Sequence, residues 1–341
     1  MTDQHRATLQ DIARACGYSA NTVSRALRND NRLPLETRNV IVQTASAMGY
    51  IRNSSASTLR SGTSRTVAVI VNDISNPYYS NMLSEMDALL QQKDYHIMIL
   101  CTQVNDDLAE KMIHIAISRS VDGILFFPHN NAGHIECMQR AGVPFVLLDR
   151  WIKGVTVDTA RCDDEMGGRL AGEHLAALGH RKMIYLAGPN VNSSQQDRQA
   201  GLMSALEKAG LPADSLKVIP WKPFFQKPQP GELLSVLEPI DYSAMITYND
   251  ELAYYCMNDL RLRGVRVPED VSMISFDHIR RGHAYLPPLT SVTADGPGVA
   301  ETAVKLLLNR IDHRDLPPQI VVVPVRIYDE ETTARPANSL K

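Results

Sequence analysis

The stretch LQDIARACGYSANTVSRAL, Leu9 to Leu27, decides how the chain begins. Leu9, Ile12, Ala13 and Cys16 recur at i, i+3, i+4 and i+7, which places them on one apolar stripe of a short helix. Gly17 permits a positive φ that ends this helix, and Ser19 is a good N-cap for a second one carrying Val23, Ala26 and Leu27. Ala13 is small where the two helices would cross. The pattern predicts a helix-turn-helix. The outer face of the second helix carries Asn21, Thr22, Ser24, Arg25 and Arg28, with Ser19 and Ala20 at its start. Such groups can reach base edges and phosphates in a major groove, although an ordinary helical hairpin with a solvated face would use the same residues.

Downstream, Pro34 to Met48 predicts a third helix with Val40, Ile41, Thr44, Ala45 and Met48 inward and Gly49 just past its end. Tyr50 to Arg65, YIRNSSASTLRSGTSR, is small, polar and poor in core material. Residues 1–65 hold nine Arg and no Lys against four acidic residues, a net +5, so on a chain total of −3 the remainder carries −8. A small basic module on an acidic body concentrates attraction for nucleic acid at one end. Arginine without lysine also favours bidentate contacts to guanine and phosphate.

Four pieces now stand in order: LQDIARACGYSANTVSRAL, the ETR at Glu36 to Arg38, MGYIRN at Met48 to Asn53, and ASTLRSG at Ala56 to Gly62. As a spaced set they resemble the lactose/galactose-repressor (LacI) family of bacterial transcription regulators. The resemblance implies a DNA-binding headpiece over 1–52 and a hinge helix over 53–65 that folds on DNA. Leu59 stands where the family's leucine wedges between base pairs in the minor groove, and Asn53, Ala56 and Arg60 join the implied DNA contacts. Ser57 follows the hinge Ala56 where the family often has a basic residue, which implies fewer phosphate contacts from this hinge.

The body alternates strands and helices. TVAVIV, Thr66 to Val71, opens a first series with strands at Tyr95 to Leu100, Gly123 to Phe127 and Phe145 to Leu148. A second series has strands near Val155 and at Met183 to Ala187, Lys217 to Ile219, Ala244 to Tyr248 and Val271 to Phe276, and a last strand is expected over Ile320 to Ile327. Strands spaced by amphipathic helices predict an α/β fold of two lobes with parallel, doubly wound sheets. The resemblance, carried on by VDGILFFP, ALGHRKMIYLAGP and VPEDVSMISFD, implies a two-lobed, periplasmic-binding-protein-like effector domain over 66–332. It also implies three crossings between lobes, with lobe one at about 66–158 and 294–317, lobe two at about 159–293 and 318–332, and a tail at 333–341.

Ligand groups in open α/β sheets lie just past the carboxyl ends of strands. The residues at those exits are Asp73, Asn76 and Tyr78; Asp149, Arg150 and Trp151; Arg198; Asn249 and Asp250; and Asp277. Each alone fits a loop residue or an N-cap, but together they can line one cleft. Tyr78, Trp151, Trp221 and Phe224 could stack on sugar rings, and an apolar cluster accounts equally well for the last two. By resemblance, Arg198, Asn249 and Asp277 fall on effector-binding positions. The acidic balance of the set favours a neutral polyhydroxylated sugar over a strongly anionic ligand.

Other classes fit poorly. No G-x-G-x-x-G, P-loop, G-x-S-x-G or H-E-x-x-H pattern occurs, so no enzyme and no cofactor is expected. Five scattered Cys without a C-x-x-C pair fit a reducing cytoplasm and read as buried apolar residues. His129, His134 and Cys137 sit close in sequence, in a loop-and-helix stretch where no metal is expected. No apolar run approaches a membrane span, and the polar N-terminus has no export pattern. A transport-type solute-binding protein or a carbohydrate-active enzyme would share the two lobes, but the first has no need of a basic headpiece and the second lacks an acid/base pair. The expected partners are therefore double-stranded DNA at a pseudopalindromic operator, a small sugar-like effector, and a second copy. The DEETTARPANSLK tail has no heptad repeat, so a homodimer rather than a tetramer is expected.

Overall fold

Among the described residues, three helices build the N-terminal unit: α1 Leu9–Cys16, α2 Ala20–Ala26 and α3 Leu35–Ala47. The structure is a computed structural model and describes residues 7–50, 62–188, 192–221, 228–229, 231–296 and 298–337. The chain divides into two units, Met1–Ser64 and Arg65–Lys341. Thr8 starts α1 through a reciprocal box: its backbone N–H donates to Asp11 Oδ2 at 2.9 Å while its Oγ1 accepts from Asp11 N–H. Gly17 takes φ 73°, and Ser19 Oγ accepts from Thr22 N–H at 3.1 Å to begin α2. Ile12, Val23, Ala26, Ile41 and Ala45 form the core, edged by Leu9, Ala13, Cys16 and Leu27. The third helix corrects its expectation, because Val40 and Met48 are exposed. Three short helices have room for one i, i+4 stripe of α3, and Ile41 and Ala45 occupy it.

The second unit holds two six-stranded sheets. The first contains β1 Thr66–Val71, β2 His96–Cys101, β3 Gly123–Phe126, β4 Phe145–Leu148, β5 Thr159–Cys162 and β11 Ile320–Val323, in the order β11-β5-β4-β3-β1-β2, all parallel. The second contains β6 Met183–Ala187, β7 Leu216–Pro220, β8 Ala244–Thr247, β9 Ser272–Phe276, β10 Ser291–Ala294 and β12 Val325–Tyr328, in the order β12-β10-β9-β8-β6-β7, with only β12 antiparallel to its neighbour. Crossover helices cover both faces: α4 Pro77–Gln91, α5 Asp106–Ser118, α6 Ala132–Arg140, α7 Asp164–Leu178, α8 Ser193–Lys208, the short α9 Leu234–Leu237, α10 Asp250–Leu262 and α11 Val299–Asp312. The alternation of TVAVIV explains why: Val67, Val69 and Val71 enter one core while Ala68 and Ile70 enter the other.

Two strands differ from expectation. Val155 lies in a turn, its N–H bonded to Ile152 O beside Gly154 at φ 78°, and the strand forms at Thr159–Cys162 in the first sheet. The run over Ile320–Ile327 is split by Pro324, whose missing N–H interrupts a ladder, so β11 joins the first sheet and β12 the second. The passages between sheets thus fall after Cys162, Ala294 and Val323 rather than at 158/159, 293/294 and 317/318.

Candidate functional site

On the headpiece, Ser19, Ala20, Asn21 and Arg28 are exposed along α2, and Thr22, Ser24 and Arg25 are half-buried. Arg25 is not free: its Nε donates to Asp30 Oδ2 at 2.9 Å. Arg32 forks onto the same carboxylate, and these bonds hold Asp30 well below the usual carboxylate range. Arg28 has no partner among the described residues, which leaves it as the uncommitted cation of this face. Asn53, Ala56, Leu59 and Arg60 lie outside the described residues, as does Phe224.

In the second unit a cavity of about 460 Å³ lies at the strand exits of both sheets. It brings together Asp73, Asn76, Tyr78, Asp149, Arg150, Arg198, Trp221, Asn249 and Asp277. The two carboxylates that leave β4 and β9 are held alike. Asp149 N–H donates to Ala160 O and Asp277 N–H to Val292 O, and both residues sit at positive φ, 67° and 103°. That conformation costs a non-glycine residue roughly 1–3 kcal/mol and is tolerated where the surroundings over-determine it.

Arg198 is the most constrained group. Its Nε donates to Asp164 Oδ1 at 2.7 Å and its Nη1 to Tyr248 O at 2.5 Å, with Asp277 Oδ1 3.7 Å from Nη2. The guanidinium lies over the Phe276 ring at 4.4 Å. Glycines make this possible. A Cβ on Gly168 would meet Arg198 O at 2.0 Å, and one on Gly201 would meet Glu165 O at 1.9 Å, so α7 and α8 touch backbone to backbone and Arg198 arrives beside Asp164.

Charge in the cleft follows burial. Burial pushes Asp149 up to about 6 against the hydrogen bond from Tyr78 Oη at 2.7 Å. It pushes Asp277 well above the ordinary carboxylate range, Arg198 opposing and Asp250, Asp149 and Asp164 adding to the effect. Burial alone would lower Arg198, but Asp164 and Asp277 more than offset it.

Two expected cleft residues face elsewhere. Asp250 is buried and accepts from Ile279 N–H at 2.9 Å and Ser291 Oγ at 2.8 Å, which locks the turn after β9 and lifts its pKa to about 7 through burial. Trp151 leaves the cavity lining and bridges the lobes instead: its Nε1 donates to Asp197 Oδ2 at 2.8 Å and its N–H to Ser193 Oγ at 3.0 Å. Asn249 lines the cavity and caps α10 at once, its Oδ1 accepting from Leu252 N–H. Asn76 caps α4 and reaches Glu251 Oε2 across the cleft at 3.1 Å.

The expected set missed Cys162, Asp163, Asp164, Ser194, Glu251 and Tyr248 on the cavity wall. The Asp163-Asp164 pair directly follows β5, so a correctly placed strand would have marked it. Of the five cysteines, all free, only Cys256 is buried. His129 bonds Asp106 Oδ1 at 2.7 Å, and among the described residues no group of three His, Cys, Asp or Glu could hold a metal ion. No helix of the described residues is long and apolar enough to cross a membrane.

Residues 8–53 match the sequence profile of bacterial regulatory proteins of the lacI family, and residues 173–333 match that of a periplasmic binding protein-like domain. The HTH-type transcriptional regulator DegA of Bacillus subtilis (strain 168) is 28% identical over 293 residues, 84% of this chain and 86% of DegA. A LacI family transcriptional regulator from Enterococcus faecium, solved with bound ribose, is 29% identical with a TM-score of 0.70 and covers 79% of this chain and 99% of its own. The Lac repressor dimer bound to operator and the anti-inducer ONPF shares the fold, at TM-score 0.80 and 24% identity over 97% of this chain and 100% of that one.

Proposed function

We propose that this chain, which belongs to the LacI family of bacterial regulatory proteins and is a DNA-binding transcriptional regulator rather than an enzyme, is a repressor of carbohydrate-metabolism genes whose operator binding is set by a sugar-type effector. The observation that carries the effector half is the cleft itself. Arg198, Asn249 and Asp277 converge on a 460 Å³ cavity with Tyr78 and Trp221 in its walls. That size suits a mono- or disaccharide, and the polar groups offer acceptors and donors to hydroxyls while the rings take an apolar sugar face. The ribose-bound relative supports the same class. The surplus of carboxylates in the lining disfavours anions, so sugar phosphates are poor candidates.

The DNA half rests on the outer face of the second helix, where Ser19, Ala20, Asn21 and Arg28 are exposed. A single helix-turn-helix reads one half-site, so the chain acts as a homodimer on a pseudopalindrome, in the cytoplasm where that DNA is. Effector binding shifts the protein between states only by its differential affinity for them.

The test is fluorescence anisotropy of the full chain on labelled genomic fragments, with salt and sugars varied. Specific binding should weaken steeply with salt, as several phosphates are neutralised. Leu59→Ala should lose specific affinity while keeping weak general binding, and a panel of sugars should change operator affinity. A chain that binds no fragment at low salt would end the repressor reading, and sugars without effect beside an active purine would end the sugar reading alone.

A further inference from the structure

Resting on the cleft as a sugar site, we infer that its effector carries a protonated nitrogen beside its hydroxyls, as an amino sugar does, seated between the carboxylates of Asp149 and Asp277. The argument is one of unspent charge. Six acidic groups line the cavity (Asp73, Asp149, Asp163, Asp164, Glu251, Asp277) against Arg150 and Arg198. Both guanidiniums are turned to protein acceptors. Arg198 is taken by Asp164 and by Tyr248 O, and its flat face is taken by Phe276. Arg150 Nη1 reaches Pro128 O at 3.4 Å. Three of the acids have work of their own: Asp163 Oδ1 caps α7 through Met166 N–H, Asp73 Oδ1 takes Ser75, and Glu251 Oε2 takes Asn76.

Asp149 and Asp277 remain, neither with a cationic hydrogen-bond donor among the described residues. Tyr78 satisfies one oxygen of Asp149. The Asp277 carboxylate accepts no hydrogen bond among the described residues and is 11% exposed, with Arg198 Nη2 at 3.7 Å as the cation facing it. Both are strand-exit residues in strained backbone, pushed toward protonation by burial. A carboxylate in such a place is stabilised either by a proton or by a counter-charge. A neutral sugar brings donors but no charge. An ammonium brings three donors and the charge together, and the rings of Tyr78, Trp221 and Tyr255 in the same wall favour a cation. Asp164 is the selecting residue: by occupying Arg198 it removes the cleft's reach for anions.

Calorimetry on the full chain at neutral pH decides this with matched pairs: glucosamine, galactosamine and mannosamine against glucose, galactose and mannose, with N-acetylglucosamine as an uncharged control. At least one amino sugar should bind about tenfold or more tighter than its parent, the equivalent of ~1.4 kcal/mol. Asp149→Asn and Asp277→Asn should abolish that preference, and N-acetylation should return binding to the level of the neutral sugar. If either variant fails to fold, the wild-type pairs and the N-acetyl control still decide. Equal or weaker binding of the aminated member in every pair, absence of binding included, overturns the inference. Binding by the neutral parents in that case leaves the sugar reading standing, whereas binding by sugar phosphates or purine bases alone removes both.

Discussion

Where the chain leaves β4 in one lobe and β9 in the other, it makes the same move twice, yet the two exits are stabilised in different ways. Asp149 and Asp277 each donate a backbone N–H to the next strand, and the agreement continues along the sheets. Phe127 and Tyr248 donate to Ile70 and Leu186, and Thr102 and Trp221 donate to Val71 and Ala187. In the first lobe the exit carboxylate meets a neutral hydroxyl, Tyr78, carried on α4. Helix α4 packs on α11 through side chains such as Met82, Met86, Ala303 and Leu307. In the second lobe the exit carboxylate meets a guanidinium carried on α8, and α8 packs on α7 through bare glycine backbone. Side-chain contact leaves room to adjust. Backbone contact does not, so the second lobe presents a fixed cation and the first an adjustable hydroxyl.

The largest test of this contrast removes each partner. Arg198→Ala leaves Asp164 buried without its cation and should cost roughly 3–5 kcal/mol in urea unfolding, whereas Tyr78→Phe should cost about 1–2 kcal/mol. Similar losses would mean the two exits are supported alike. Next come the glycines. Gly201→Ala drives a Cβ into Glu165 O and should cost about 2–3 kcal/mol, while Gly123→Ala meets the movable end of Leu307 at 2.9 Å and should cost about 1 kcal/mol.

A smaller effect is expected with pH. The folded pKa of Asp149, about 6, lies above its unfolded value, so the folded state holds the extra proton between the two. The contribution of Asp149 to stability should therefore fall as pH rises from the ordinary carboxylate range to about 6 and stay level above it. Asp149→Asn should remove about 2–3 kcal/mol of that decline, and a slope identical to that of the parent would show the carboxylate to be better solvated than its surroundings indicate. The smallest change concerns the bond from Asn76 to Glu251 across the cleft. Asn76→Ala removes this bond together with the cap of α4, and the cross-cleft part alone, about 0.5 kcal/mol, should appear as a roughly twofold shift in effector affinity.

Much of this was legible in the residues. The headpiece rests on local periodicity and caps, and Asp149, Arg198 and Asp277 follow from strand ends. What failed needed tertiary knowledge. The turn at Gly154 delays β5, which hid Asp164, the partner of Arg198. Trp151 looked like a stacking platform because its contacts with Ser193 and Asp197 join segments over forty residues apart. Asp250 follows a strand as cleft residues do, but its carboxylate turns back to the 277–282 loop. The β-branched run at Ile320 could not disclose that its halves belong to different sheets.

That divided strand has a mechanical consequence. β11 and β12 are edge strands of their respective sheets, separated by Pro324 alone, and the other two passages leave β5 and β10, the strands next to those edges. All three tethers therefore run along one side of the second unit, which acts as the spine of a book. The opposite margins, β2 and β7, stand five strand spacings away, about 24 Å. A ~10° rotation about the spine would part them by about 4 Å but part Asp149 from Asp277, two spacings out, by less than half as much. A ligand that draws those two carboxylates together by an ångström thus acts on the short arm of a lever, and Thr102 and Trp221 ride on the long one.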